Sequence, residues 1–439
     1  MGNQRSEWKS YVNIFLVLFV GYCSYTIARR AVVIVTRDLQ NTYSLNNSNI
    51  GAINSTFSIA YGISKFFAGI ATDYFSSNIL FAGGLFFAGL TNLFFPMFSS
   101  LYGFCFLWFI NGLAQGCGWP SLSKIMLNAF PKNIRGRVWG LLTMGGNVGQ
   151  SMSPLLLSYV YFKYGWQYAF FMPGIWAATF AIVAYIILIT SNSNNSNNSN
   201  NNAVMEPKES EKSPKKKIEN TTTTTTTFTQ EVLLNINFWI LIIADILIYF
   251  ILKAFSDWSI KLLKEDRGFG SMVSSTCLSA YESGGVVGTL FTGIISDYLH
   301  SRRNLTSFFY VLILFPSILA LYLLGKDASS ITISIVLFSL GFSVYGPKTM
   351  CGLAVREMCD KKFAGTAGGL LGLAGQVGAA IAGYPLGLLA DNYGWNSFYI
   401  LLLSSSIIVI LLFGILQYNY VPNNSEESKI EIQKKKKEL

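Results

Sequence analysis

The chain is poor in charged residues and in histidine. Only 12% of its 439 residues are Asp, Glu, Lys or Arg, whereas a soluble domain carries about 25%. Its single histidine, His300, and its six cysteines show none of the spacings of a metal site. The sequence also has no phosphate-binding glycine loop and no pairing of a nucleophile with a base. We therefore expect neither a soluble domain nor an enzyme, and no metal or other cofactor.

Long apolar runs fill most of the sequence instead. Hydrophobic residues make up 51% of the chain. About twelve runs reach the roughly 18 residues that a helix needs to cross a hydrocarbon core about 30 Å thick. These runs lack the alternation of barrel strands. We predict an all-α integral membrane protein that crosses the lipid bilayer many times.

The basic residues that give the chain its net charge of +10 are distributed unevenly among the loops. Basic residues concentrate in alternate loops, notably at Arg135, at 208–217, at Arg302 and Arg303, and at 434–437. Loops rich in Lys and Arg stay in the cytosol, so both termini are predicted to be cytosolic. A nucleic-acid partner would need a basic face on a soluble domain, and none is expected here.

A polar segment divides the chain into two parts. It contains an Asn/Ser tract, a run of lysines and seven consecutive threonines, a composition that buries too little apolar surface to fold. We predict a disordered cytosolic linker over 191–232. Six-helix halves are predicted over 1–190 and 233–421, and a cytosolic tail over 422–439.

The two halves carry the same sequence markers in the same order. Gly69-Ile-Ala-Thr-Asp73 recurs as Gly293-Ile-Ile-Ser-Asp297, Trp119-Pro120 as Gly346-Pro347, and Tyr164-Gly165-Trp166 as Tyr393-Gly394-Trp395. Two parallel six-helix repeats, with a binding site at the midplane between them, are the architecture of the major facilitator fold. The predicted fold is therefore two pseudo-symmetric halves of six helices each.

Charged side chains interrupt several of the predicted spans. The cations are Arg29, Arg30, Lys65 and Lys253, and the carboxylates are Asp245, Asp257 and Glu282. A charge at the bilayer centre costs about 2.5–3.5 kcal/mol. Several such cations, only partly compensated, indicate a water-filled path for an anion.

Two of these cations occupy equivalent helices of the two halves. Arg29 lies in the first span and Lys253 in the seventh, so they can face each other across the pseudo-two-fold axis. A dianion between them would remove their repulsion and gain charge-assisted hydrogen bonds. Lys65 can contact either the anion or a carboxylate.

The remaining charges suggest ion pairs. Arg30 points about 100° away from Arg29 on a helix, and Asp257 and Glu282 are its possible partners. A pair that forms and breaks between the halves would act as a gate. Asp245, about two turns before Lys253, is a possible counter-ion of that lysine.

Longer motifs resemble a known family. The segment from Leu107 to Pro120, Leu-Trp-Phe-Ile-Asn-Gly-Leu-Ala-Gln-Gly-Cys-Gly-Trp-Pro, is similar to the fourth-span signature of the organophosphate:phosphate antiporters of the major facilitator superfamily. Tyr61-Gly-Ile-Ser-Lys65, Ser256-Asp257-Trp258 and Tyr345-Gly346-Pro347 agree with it. Within that family, the chain most resembles the endoplasmic-reticulum glucose-6-phosphate translocase.

The resemblance implies roles for individual residues. Arg29 and Lys253 would bind the substrate phosphate, Arg30, Asp257 and Glu282 would form gating salt bridges, and Tyr22, Lys65 and Tyr345 would line the cavity. The chain departs from the bacterial members at Gly146, where they have histidine, and at Thr26, where they have tyrosine. Lys348 is not expected from the family.

The resemblance also implies an activity. We expect a monomeric antiporter that exchanges glucose 6-phosphate for inorganic phosphate by alternating access, functionally coupled to a lumenal phosphatase. Alternatives are an antiporter for glycerol 3-phosphate or another sugar phosphate, and a sensor that binds a sugar phosphate without transporting it.

The terminal segments suggest a location. Lys436 and Lys437 stand fourth and third from the end, which resembles a dilysine retrieval signal and favours the endoplasmic-reticulum membrane. The other interpretation is a basic tail attracted to anionic lipid. Gly2 fits a myristoylation pattern, and Asn46 begins a glycosylation sequon.

Overall fold

The computed structural model describes residues 2–131, 134–202, 232–299, 302–325, 327–359 and 363–419. Within these ranges the chain is helical, with no strand. The first half contains α1 (Gly2–Ala28), α2 (Ala31–Ile34), α3 (Thr36–Tyr43), α4 (Asn47–Tyr74), α5 (Ser77–Phe94), α6 (Leu101–Gly116), α7 (Gly118–Ala129), α8 (Arg135–Tyr164) and α9 (Tyr168–Asn202). The second half contains α10 (Ile236–Arg267), α11 (Ser271–Tyr298), α12 (Arg303–Leu323), α13 (Ser330–Glu357), α14 (Ala364–Ile381) and α15 (Tyr384–Tyr418).

Seven helical stretches of the described chain are long and apolar enough to cross a membrane. They are Ser10–Ala28, Ser77–Met97, Tyr168–Thr190, Ile236–Arg267, Arg303–Leu323, Ser330–Glu357 and Gly365–Tyr418. The other predicted spans correspond to α4, α6 with α7, α8 and α11, which are broken or richer in polar residues. Because Gly365–Tyr418 holds two passes, the helices agree with the prediction of about twelve spans.

The two halves repeat one pattern of helix packing. In the first half α1 packs against α8, α4 against α6, and α5 against α9. In the second half the equivalent helices do the same, since α10 packs against α14, α11 against α13, and α12 against α15. This correspondence gives the pseudo-symmetry that the repeated markers predicted.

One repeated marker has a direct backbone explanation. Gly165 ends α8 with a φ of 99°, and Gly394 interrupts α15 with a φ of 73°. Side chains other than glycine rarely adopt positive φ values. The Tyr-Gly-Trp motif therefore marks, in each half, the turn between the last two passes.

The halves are joined at one end of the molecule, here called the closed end. Asp391 accepts hydrogen bonds from the backbone N–H groups of Asn47 (3.0 Å) and Ser48 (2.7 Å). Ser55 Oγ donates to the carbonyl of Ala380 at 2.6 Å. Because Gly51 lies against Gly383 without room for a Cβ atom between them, α4 meets the backbone of the second half directly.

The opposite end, here called the open end, has no such packing at the equivalent glycines. A Cβ atom built on Gly62 would meet Gln376 at 2.9 Å. Further along the same two helices, a Cβ atom on Gly69, Gly369 or Gly372 would find nothing within 4 Å. The halves thus separate beyond Gly62, toward the ends predicted to be cytosolic.

The first span is not the continuous helix that the sequence suggested. It breaks after Ala28, where the N–H of Arg30 bonds to the carbonyl of Ile27 at 3.1 Å, and again at Val35. The tight i→i−3 bond is typical of a helix end. Arg29 and Arg30 lie at this break, in the interior of the fold.

The predicted linker and tail fall largely outside the described residues. The backbone of α9 stays helical to Asn202, twelve residues into the segment predicted to be disordered. Extending an existing helix avoids the cost of nucleating one, which explains the difference. Residues 203–231 and 420–439, with the lysines at 434–437, lie outside the described chain.

Candidate binding site between the two halves

A cavity of about 250 Å³ lies between the halves, near the middle of the spans. Its first-half lining includes Tyr22, Arg29, Lys65 and Trp119, and its second-half lining includes Tyr249, Lys253, Lys348 and Gln376. The volume is close to the lower end of the range for small-molecule sites, about 300–1,000 Å³. Arg29 and Lys253 therefore share one cavity, as the sequence predicted, and neither is turned only toward lipid.

The two adjacent arginines point to different surroundings. Arg30 is buried, and its guanidinium contacts Glu282 directly and Asp257 at 3.7 Å. Arg29 is half-buried and lines the cavity together with Tyr61. The break in the first span places one arginine in a protein contact and leaves the other facing the cavity.

Arg30 is the centre of a buried group, here called the bridge cluster, that consists of Arg30, Ser256, Asp257, Glu282 and Tyr345. Arg30 donates to the carbonyl of Ser256 at 3.0 Å, and Ser256 Oγ donates to Glu282 at 2.7 Å. Tyr345 donates to the other oxygen of Glu282 at 2.6 Å. The structure thus brings together the three residues expected to form salt bridges, and it joins the halves through them.

Tyr345 differs from its expected place in the cavity wall. It is buried, with 2% of its surface exposed, and its hydroxyl donates a hydrogen bond to Glu282. Lys348, one helical turn later, reaches the cavity instead. The rotation of α13 decides which of the two side chains faces the void.

Lys253 has a local partner. Its Nζ lies 2.7 Å from Asp257 Oδ1, four residues along the same helix. Asp245 is not that partner, because it lies eight residues from Lys253. Side chains four residues apart are neighbours on a helix, whereas eight residues span about 12 Å along its axis. Asp245 is instead buried, and Lys348 and Lys65 are the charges that act on it.

Three cations of the cavity have no carboxylate partner among the described residues. These open cations are Arg29, Lys65 and Lys348. Lys65 lies over the ring of Tyr61 at 5.8 Å, and Lys348 lies over Tyr345 at 4.8 Å and Tyr249 at 5.3 Å. Lys65, which was expected to contact either the anion or a carboxylate, forms no ion pair with a carboxylate in the described part of the chain.

Tyr22 occupies the cavity wall as expected, and the structure explains a departure from the bacterial pattern. A Cβ atom on Gly146 would come within 2.5 Å of the Tyr22 ring. The ring also packs on Trp119 at 5.1 Å. Glycine at 146 therefore makes room for Tyr22, and no side chain from that position reaches the cavity.

The charges around the cavity do not balance. Among the described residues, five cations and Asp257 line it, while Glu282 and Asp245 lie behind its wall. With all of these groups ionised, two positive charges remain. A phosphate ester carries about −1.5 to −2 at neutral pH, so the arrangement suits a phosphate-bearing solute.

Comparison with known proteins gives the same picture. The model of the Major Facilitator Superfamily matches residues 14–383. The chain is 32% identical to a probable hexose phosphate transport protein of Chlamydia pneumoniae, over 92% of this chain and 90% of the relative. It is 30% identical to the glycerol-3-phosphate transporter of Bacillus subtilis (92% and 91% covered), and 28% identical to the membrane sensor protein UhpC of Escherichia coli (93% and 92%).

Solved structures support the fold. A bacterial homolog of the human lysosomal transporter Spinster, crystallised in an inward-facing and occupied conformation, superimposes with a TM-score of 0.72 at 13% identity, covering 94% of this chain and 97% of its own. The predictions of an all-α carrier fold, and of a protein that is not an enzyme, are confirmed by these comparisons. Since the matched residues run through both halves, the chain belongs to the Major Facilitator Superfamily.

Proposed function

We propose that the chain is an antiporter that exchanges glucose 6-phosphate for inorganic phosphate. The observation that carries the proposal is the surplus of open cations in a cavity between the two halves. Their mutual repulsion in a low-dielectric site falls when a dianion binds. Arg29 can hold phosphate oxygens through two parallel hydrogen bonds, whereas a lysine acts as a point charge.

Alternating access follows from the same charges. The closed end is held by the bridge cluster and by contacts such as that of Ser55 with Ala380. For the cavity to open at that end, these contacts must separate and the open end must close around the cations. A bound dianion offsets their repulsion, so the loaded carrier reorients and the empty carrier does not. Exchange, rather than net uptake, is the result.

The cavity also carries groups suited to a sugar. Asn54, Asn147, Gln150 and Gln376 line it, and their amides can donate to and accept from hydroxyl groups. This lining supports a polar organophosphate rather than a lipid phosphate. The similarity to the hexose phosphate protein of Chlamydia pneumoniae supports a hexose.

Two other candidates each have an observation in their favour. The similarity to the Bacillus subtilis transporter favours glycerol 3-phosphate as the cargo. The similarity to the Escherichia coli sensor favours a protein that binds a sugar phosphate without moving it. A sensor would share the cavity but would give no flux.

Counterflow in proteoliposomes tests these candidates together. We expect labelled phosphate to accumulate when unlabelled phosphate or glucose 6-phosphate is trapped inside, and not in vesicles without an internal anion. Competition by glycerol 3-phosphate and by other phosphate esters ranks the substrates. Binding of glucose 6-phosphate without any counterflow would contradict the proposal in favour of a sensor.

Orientation and location complete the proposal. With both termini in the cytosol, the open end of this structure faces the cytosol. The endoplasmic-reticulum membrane, the monomeric state and the coupling to a lumenal phosphatase remain predictions, as do modification of Gly2 and Asn46. Asn46 itself caps α4, where its side chain accepts from the N–H of Asn49 at 2.8 Å.

A further inference from the structure

Lys348 is a cavity cation that the sequence motifs leave without a role. It lies on α13, three residues after Tyr345, and lines the cavity from the second half. The rings of Tyr345 and Tyr249 flank its ammonium group at 4.8 Å and 5.3 Å. Attraction between a cation and aromatic faces holds this side chain in the cavity without neutralising it.

Lys348 differs from Lys253 in having no salt bridge among the described residues. Arg29 and Lys65 act on it as like charges, and Glu282 and Asp245 as opposite ones, but neither carboxylate forms a salt bridge with it in the described chain. Lys253, in contrast, is held by Asp257 at 2.7 Å. The lysine of the second half that is available to an anion is therefore Lys348.

We propose that Lys348 contacts the substrate phosphate and forms, with Arg29 and Lys65, the anion site of the cavity in this conformation. The inference rests on the proposed function and deepens it, because it moves the second-half contact from Lys253 to Lys348. Asp245 lies behind this site, buried and with one carboxylate oxygen that has no hydrogen-bond partner among the described residues.

This assignment gives two substitutions with different effects. Lys348→Gln removes an attractive charge, so the Kd for inorganic phosphate should rise at least tenfold, and the KM for exchange should rise with little change in kcat. Lys348→Arg keeps the charge and should stay within about threefold of the unchanged protein. A purely structural role would respond differently, since loss of the lysine would weaken folding and binding alike.

The experiment measures equilibrium binding of radiolabelled inorganic phosphate to the purified full chain, together with counterflow. Lys163→Gln is the matched control, since Lys163 also lies over two tyrosine rings, those of Tyr164 at 5.2 Å and Tyr159 at 6.0 Å, but outside the cavity. It should bind phosphate as the unchanged protein does.

The outcomes separate this inference from the proposed function. If the unchanged protein neither binds phosphate nor shows counterflow, the proposed function fails. If it does both, an unaltered Kd in Lys348→Gln overturns the role of Lys348 alone. Should Lys348→Gln not purify as a folded protein, Lys348→Met decides, because an unaltered Kd for phosphate in that variant overturns the inference.

Discussion

The bridge cluster and the open cations contain similar side chains in opposite circumstances. In the bridge cluster Arg30 is buried and is matched by Glu282 and Asp257. In the cavity Arg29, its neighbour in sequence, is half-buried and has no carboxylate partner in the described chain. Of these two adjacent residues of the first span, Arg30 contacts the second half, and Arg29 lines the cavity, where we propose that it binds the substrate.

The difference shows what pairing does to a charge inside a membrane protein. A cation that is paired with a carboxylate of the protein stabilises the fold and the contact between the halves. A cation that is left unpaired is costly in the empty protein, and its cost is offset when an anion arrives. We therefore assign the unpaired group to the proposed binding site and the paired group to the bridge cluster.

Replacing Arg29 should have the largest effect on transport. Among the described residues of the cavity wall, Arg29 is the arginine without a carboxylate partner, and it can hold phosphate through two parallel hydrogen bonds. Exchange in Arg29→Gln should therefore fall at least about 100-fold, given roughly 1.4 kcal/mol for each factor of ten. Counterflow measures the rate, and thermal unfolding in detergent should show a folded protein. Near-normal exchange in a folded variant would contradict the role of Arg29.

A block at the closed end should stop transport while sparing the cavity. In Gly51→Ala the new Cβ atom would lie 2.4 Å from the carbonyl oxygen of Gly383, so the halves cannot meet there. We expect exchange to fall about tenfold or more, and the Kd for phosphate to change less than threefold.

The matched control for that block is Gly83→Ala. A Cβ atom on Gly83 meets nothing within 4 Å, so exchange should be unchanged. Equal losses in the two glycine variants would show that the effect arises from helix packing in general rather than from the closed end.

Breaking the bridge cluster should affect stability more than binding. Glu282→Gln leaves Arg30 buried with a single distant carboxylate, and loss of one partner of a buried pair costs about 3–5 kcal/mol. The double variant Arg30→Gln with Glu282→Gln should recover part of this loss, because no charge is left unmatched. Thermal unfolding of the unchanged chain, of Glu282→Gln, of Arg30→Gln and of the double variant gives the comparison, and additive losses would contradict the pairing.

The smallest effect is expected at the rim of the closed end. Asp391 binds the N-terminal N–H groups of α4 at an exposed position, where a carboxylate contributes about 0.3–1 kcal/mol. Asp391→Asn should lower stability by that amount at low salt and by less at high salt, since salt screens exposed charges. Unfolding temperatures at two ionic strengths test this, and a difference that is independent of salt would argue against an electrostatic contact.

Much of the fold was readable from the sequence because lipid restricts the choices. Apolar runs gave the spans, and the recurring Tyr-Gly-Trp motif gave the repeat through a backbone requirement at Gly165 and Gly394. The breaks in the first span were not predicted. They contain no glycine or proline, and they depend on tertiary contacts of Arg30 with the second half.

The site was predictable only in part, because it too depends on tertiary packing. The residues of the bridge cluster could be named, but which side of α13 faces the cavity depends on helix rotation. Tyr345, expected in the cavity wall, is buried, and Lys348, which had no expected role, lines the cavity. The sequence did not decide the salt-bridge partner of Lys253, and the structure shows that it is Asp257. The one available signal for Lys348 was its charge in an apolar span, at a position where the family motif provides none.

Equilibrium binding of radiolabelled phosphate to three purified proteins tests the central distinction most directly. The unchanged chain, Arg29→Gln, and the double variant Arg30→Gln with Glu282→Gln differ in which kind of cation they retain. We predict that Arg29→Gln loses at least about tenfold in affinity, or roughly 1.4 kcal/mol, while the double variant stays within threefold of the unchanged chain. Equal affinities in the unchanged chain and Arg29→Gln, or a loss of affinity confined to the double variant, would contradict the account. That account assigns the paired cations to the contact between the halves and the unpaired cations to binding of the substrate.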